Sequence, residues 1–368
     1  RANYTLMGRY LFTATFRADG SSKFSPNNHW GYFPAGAFAW RISDEPFMEG
    51  AREYLDNLKL RLSYGTSGSD NIDPSLWKET WTTKSITVDG TPTTVYVPGE
   101  MKGNPDLKWE RTISRNLGLD FGFWNGKLRG SIDLYWNTTK DILMRVPIDA
   151  TKGYSYQYQN VGQTSNKGVE LALFYEIFRS KDFNLSFNAT YNYNKNNIDK
   201  LYDNVLADTH TNWGSSMRLP YYDYIIRVDN PVGLIQGFKS AGFYTVDDFN
   251  VTNGVWTLKP GVPDIQDIVN FPNGVSAYQR PDGQIAFPGA VKFSDENGDG
   301  VVNNDDVTII GKTMPQHTGG FNFNGNYKNL DFALGFTYQI GGDVYNANAM
   351  HSMMGDKDNG LGNNRLAY

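Results

Sequence analysis

Cysteine is absent from all 368 residues, which excludes a disulfide framework, a thiolate metal site and a Cys nucleophile. No run of about 18 apolar residues occurs, so no helix crosses a membrane. Arg1 to Tyr10 contain no apolar signal-peptide core; they read as a strand, so the chain is treated as a segment of a longer structure. Histidine is scarce: His29, His210, His317 and His351 show no H-E-x-x-H spacing and read as loop or interface side chains. No G-x-S-x-G elbow is present. Gly311-Lys312-Thr313 resembles the end of a phosphate-binding loop, but the first glycine of that motif would fall on Asp306. Positive charge is in deficit, with 34 Lys and Arg against 39 Asp and Glu, which argues against a nucleic-acid partner. The adjacent carboxylates Asp247-Asp248 and Asp305-Asp306 point apart in an extended chain, so they suit solvated turns better than acid–base work. The chain does not read as an enzyme.

Aromatics are abundant, with 23 Tyr and 22 Phe, beside 38 Gly; together with plentiful Asn this favours strands joined by turns. Period-two alternation is clearest over 182–194. Phe183, Leu185, Phe187, Ala189, Tyr191 and Tyr193 share one face, and Asn184, Ser186, Asn188, Thr190, Asn192 and Asn194 the other. The segments 128–137 and 330–340 repeat it, with weaker copies over 8–17, 31–42, 57–64, 111–123, 167–177 and 321–327. That predicts about nine strands, several longer than the five or six residues of soluble sheets and close to the 9–11 of a tilted membrane strand.

The connections alternate. Trp124–Lys127, Phe178–Lys181 and Tyr327–Asn329 are tight, Asn125-Gly126 being a strong hairpin pair. Ser43–Asp56 is longer and has room for one helical turn. The links 69–108, 143–166 and 196–318 are long. Tight turns at one end and extended loops at the other are what an outer-membrane barrel has. Trp30, Tyr32, Trp40, Trp109, Trp124 and Trp136, near strand ends, suit an aromatic girdle. Asn184, Asn188, Asn192, Asp133 and Asn322 suit a wet interior. Pro34 inside a strand and Arg115 on an apolar face fit less well. The fold class is all-β, a transmembrane antiparallel barrel.

Several stretches resemble SusC/RagA-type TonB-dependent transporters of Bacteroidetes-type outer membranes: Phe12–Trp40, Leu58–Gly68, Asn104–Arg115, Asn160–Val169, Lys292–Gly311 and the strand pair near Gly319–Gly342. The resemblance covers nearly the whole chain in order. It implies that 1–368 forms part of one barrel of about 22 strands, with 196–318 as a large extracellular loop and the plug domain and final strands outside this sequence. It also implies import of an oligosaccharide or peptide, TonB coupling through an N-terminal region, a SusD-like surface lipoprotein as lid, and outer-membrane lipid around the wall. A dimer of the transporter–lipoprotein pair stays open.

Asp295 to Asp306 match D-x-N-x-D-G-x5-D. In such loops side chains at positions 1, 3 and 5, a carbonyl at 7 and the last residue surround Ca²⁺. Here these are Asp295, Asn297, Asp299, the Val301 carbonyl and Asp306, with Asn303 near the water position; all donors are oxygen, as a hard cation requires. Asp306 stands where calmodulin-type loops carry Glu, and no helical pattern flanks the loop. An acidic turn without an ion is the alternative. Within 196–318, Trp213, Tyr221, Tyr222, Tyr224, Phe238, Phe243 and Tyr244 lie among amides and suit stacking on sugars or gripping peptide side chains, or else packing of the loop on itself. The rival readings are a secreted Ca²⁺-binding adhesin or carbohydrate-binding module, and an outer-membrane barrel enzyme.

Overall fold

The computed structural model describes residues 1–202, 207–209, 224–265 and 286–346. The chain divides into two compact units, the first comprising Arg1–Val205, Val228–Asn230 and Pro315–Ile340 and the second the remainder.

The first unit is an antiparallel meander of β1 (Ala2–Leu6), β2 (Tyr10–Gly20), β3 (Trp30–Arg41), β4 (Leu55–Ser69), β5 (Glu110–Phe123), β6 (Leu128–Pro147), β7 (Tyr156–Arg179), β8 (Phe183–Lys200), β9 (His317–Tyr327) and β10 (Leu330–Ile340), paired in that order. Its register aligns the apolar faces. One row runs Tyr4, Phe12, Phe38, Leu62, Leu117, Leu134, Val169, Tyr193, His317 and Ile340 across the strands. The next row toward the tight turns is Tyr10, Trp40, Leu60, Leu119, Ile132, Leu171 and Tyr191. Such a face stays exposed in the protein, with Leu62 at 44% and Leu134 at 40%, because lipid covers it. The opposite face carries the polar partners.

Two expectations are corrected in extent. The 143–166 link shrinks to 148–155, because β6 and β7 are 20 and 24 residues long. Only part of such a strand can lie in lipid; beyond it both faces meet water or loops, and the alternation fades. The long connection occupies 201–316, with β8 reaching Lys200 and β9 starting at His317.

Both apparent misfits find their places. The β3–β4 ladder ends at Ala35 opposite Gly65, so Pro34 lies just beyond it. Arg115 lies opposite Tyr64 and Trp136, its guanidinium 5.8 Å from the Tyr64 ring centre. Trp30, Tyr32, Trp124 and Trp136 are exposed, as a girdle requires. Trp109 is not of that set: it packs on Phe24 and Phe33 at 5.4 and 5.6 Å and donates to the His29 carbonyl. At the β5–β6 turn Trp124, Asn125 and Gly126 all take positive φ. Within the β3–β4 link, Glu45 accepts from Tyr10, Trp40 and Arg9. The Tyr10 hydroxyl, then the Trp40 indole, hold its carboxyl below the usual range.

Close strand packing rests on glycines lying under rings. A Cβ at Gly168 would stand 2.2 Å from the Tyr193 carbonyl oxygen and 2.4 Å from the Tyr135 hydroxyl, whereas one at Gly36 meets only a distant carbonyl at 3.9 Å. Gly168→Ala is therefore expected to destabilise the meander by about 1–3 kcal/mol through overpacking, and Gly36→Ala to leave it nearly unchanged. Thermal loss of the folded band on unheated gels in detergent checks both.

Candidate functional site: the inward polar face and the inserted unit

On the polar face of β4, β5 and β6, Arg61 bridges two acids: Nε donates to Asp120 Oδ1 at 2.9 Å and Nη2 to Asp133 Oδ2 at 2.9 Å. Lys59 adds a contact to Asp120 at 3.3 Å. Farther along, an amide cluster continues the surface. The Tyr135 hydroxyl donates to Asn194 Oδ1, and Asn194 and Asn196 donate to Asn166 Oδ1. Asn188 lies opposite Asn322, and Asn184 donates to Asn326 at 2.9 Å. Among the described residues only one buried side-chain atom lacks a hydrogen-bond partner, Asn192 Oδ1. The amides of this wall, beside the Arg61–Asp120–Asp133 bridge, can bind hydrogen-bonding solutes through uncharged donors and acceptors.

The second unit has its own core. Strands 207–209, Tyr224–Ile226, Leu234–Gly237 and Thr308–Lys312 form an antiparallel sheet. Tyr244, Phe249, Ile265, Ala286 and Val302 form a buried cluster, with Phe238, Trp256 and Phe293 against it. This corrects the reading of Tyr244 as a substrate-facing ring. It is 1% exposed, and its hydroxyl donates to the Pro263 carbonyl at 2.7 Å. Burial first, then Asp264 and Asp248, push its pKa up to about 12. Phe238 packs on Phe293 at 5.3 Å, and Tyr224 meets Tyr345 edge-on. Phe243 is 65% exposed. Trp213, Tyr221 and Tyr222 lie outside the described residues. Asp248 closes a turn by accepting from the Thr245 backbone amide, and Lys292 donates to it at 2.9 Å; these contacts, the backbone bond foremost, hold its carboxyl below the usual range.

The Asp295–Asp306 loop is wired by its own amides. Asp295 accepts from Gly298 and Gly300, Asn297 from Asp299, and Asp299 from Val301. Asp306, fully buried, accepts from Glu296, Asn297 and Asn303, and Asn303 caps the turn that follows by accepting from Asp305. Among the described residues no three His, Asp or Glu side chains are gathered closely enough to hold a metal ion in this arrangement. The donor types fit Ca²⁺; their spread does not yet form a shell.

A ten-strand antiparallel meander with a continuous lipid-type face, a polar reverse face and loops of alternating length is the wall of an outer-membrane β-barrel. Residues 1–349 match the family described as "TonB dependent receptor-like, beta-barrel", and the chain belongs to that family, in its SusC/RagA branch. It is 32% identical to the TonB-dependent receptor SusC of Bacteroides thetaiotaomicron over 94% of this chain and 31% of that protein. It is 31% identical to TonB-dependent receptor P39 of Formosa agariphila over 94% of this chain and 32% of that one. Among solved structures, the RagAB peptide importer in its "open-open" state matches with a TM-score of 0.70 at 27% identity, covering 92% of this chain and 32% of that chain. The chain thus spans about a third of the length of the curated relatives it matches.

Two outcomes follow from this geometry. Arg61→Met strands Asp120 and Asp133 without their shared cation and is expected to lower stability by about 1–3 kcal/mol, read as an earlier melting temperature. Tyr244, with its folded pKa raised above the ordinary value, stabilises the folded second unit fully below pH 10. That contribution is lost as the pH rises through about 12. A Tyr244 phenolate signal near 295 nm, obtained by difference against Tyr244→Phe, should therefore titrate late and together with loss of the unit's structure.

Proposed function

We propose that the protein imports an oligosaccharide or peptide nutrient across the outer membrane, by transport and not by catalysis. The carrying observation is the co-linear match of nearly the whole chain to SusC and to the RagAB peptide importer. In this reading TonB supplies the energy, a SusD-like lipoprotein covers the mouth, and the polar face of β4–β8 lines the route. Aromatic side chains of the 201–316 connection that face solvent, Phe243 among those described, take part in capture, and Trp213, Tyr221 and Tyr222 remain candidates.

Deleting the gene and growing cells on defined oligosaccharides or peptides tests the reading. Loss of growth on one of the two nutrient classes is expected, restored by the intact gene, and a surface lipoprotein should co-purify in detergent. Unchanged growth and uptake on both classes would overturn it.

We further propose that the 295–306 loop binds Ca²⁺ structurally. Support comes from the donor order and the all-oxygen set; binding would draw Asp295, Asp299 and Asp306 inward from their present amide contacts. Calorimetric titration with Ca²⁺ is expected to show one site that Asp299→Ala removes, and EGTA should lower the melting temperature. Heat of binding unaffected by Asp299→Ala would leave the amide-wired turn as the whole explanation of the motif.

A further inference from the structure

On the lipid-type face, the row just beyond Leu117, Leu134, Val169 and Tyr193 changes character abruptly. It reads Arg115, Trp136, Lys167 and Lys195 across β5 to β8. Farther toward the long loops, Arg111 lies opposite Lys140. Five cations thus occupy one outward patch, and two of the cross-strand pairs, Arg111 with Lys140 and Lys167 with Lys195, set like charges directly opposite each other, an arrangement that destabilises a ladder. None of the five forms an ion pair with another described residue. Asp199, farther along β8, is hydrogen-bonded to Ser165, Gln163 and Asn197 and feels Lys167 only through longer-range charge, one carboxylate against five cations. Lys167 and Lys195 also border a groove of about 480 Å³ whose other walls include Trp136, Val169 and Tyr193. It opens from the cations onto apolar surface.

The tight turns fix which end this is. They mark the periplasmic side, so the cations lie at the outer-leaflet boundary. We propose that this patch binds the phosphate groups of a phosphorylated lipid in the outer leaflet, with an acyl chain lying along the groove beside Trp136. Phosphate offsets the opposed like charges, and the adjoining apolar rows explain why the anion is held by a lipid and not taken from solution. The assignment uses the membrane location of the wall and is independent of which nutrient is carried.

Native mass spectrometry of the intact protein in neutral detergent, titrated with bisphosphorylated lipid A, tests it. Lipid adducts are expected, and Lys167→Gln/Lys195→Gln should weaken them about thirtyfold, from the loss of two lysine–phosphate attractions. Lys84→Gln, in the separate 81–98 hairpin, should change nothing. Inorganic phosphate occupying the site as well as lipid A does would overturn the lipid assignment, and equal adduct formation by the double variant would overturn the site. Tryptophan fluorescence gives a second, independent readout. Trp136→Phe should remove a fluorescence component that brominated phosphatidic acid quenches more than brominated phosphatidylcholine; equal quenching by the two lipids would contradict the proposal.

Discussion

Everything in the first unit answers to one constraint: in hydrocarbon a backbone amide has no water to turn to. Strands must pair side by side, so they run long and keep register over most of the meander; β5 pairs with β6 without a shift from Arg111 opposite Lys140 to Phe123 opposite Leu128. A fixed register in turn fixes faces, since a slip of one residue would send each polar side chain into lipid. The two edge strands, β1 and β10, are paired on one side only within the described sheet. In a bilayer such edges need further strands, which is the sense in which this wall is part of a closed barrel.

The polar face is organised by the same constraint from the other side. Facing a wet interior, it has freedom to hold charge: Arg61, Lys59, Asp120 and Asp133 balance one another, Glu170 lies opposite Asp133, and Asn166, Asn194 and Asn196 continue the surface in amides. Amides of this kind donate and accept without adding charge, so they satisfy one another and water on the same surface.

What was legible in the sequence followed the physics. The alternation in 182–194 and 330–340 located β8 and β10 well, because one face of each meets lipid and the other does not. It fades over 143–166, where β6 and β7 extend past the region that sorts faces. Tyr244 is ambiguous along the chain because a core tyrosine and a binding tyrosine look alike among Asn and Asp; burial alone separates them. Arg115 looked like a flaw in one strand. Only register reveals it as a member of a row, since Lys167 and Lys195 are far from it in sequence and adjacent only across strands. No pattern along the chain could have shown that.

Within the long connection between β8 and β9, the stretch Pro231–Met314 is closed by a clasp. Leu234 pairs with Lys312, and the Thr313 amide donates to the Gly233 carbonyl. Just before the clasp, Asn230 and Asp229 exchange backbone hydrogen bonds with Ile198 of β8. Joining β8 to β9 across a random coil of this length would carry a loop-closure entropy that grows with chain length. Once the inserted unit has folded and its clasp has closed, most of that span no longer counts in bringing β8 to β9. The insert can then lengthen, shorten or diversify over generations while the strands it interrupts keep the same partners, so novelty in the outer surface is decoupled from the kinetics by which the wall assembles.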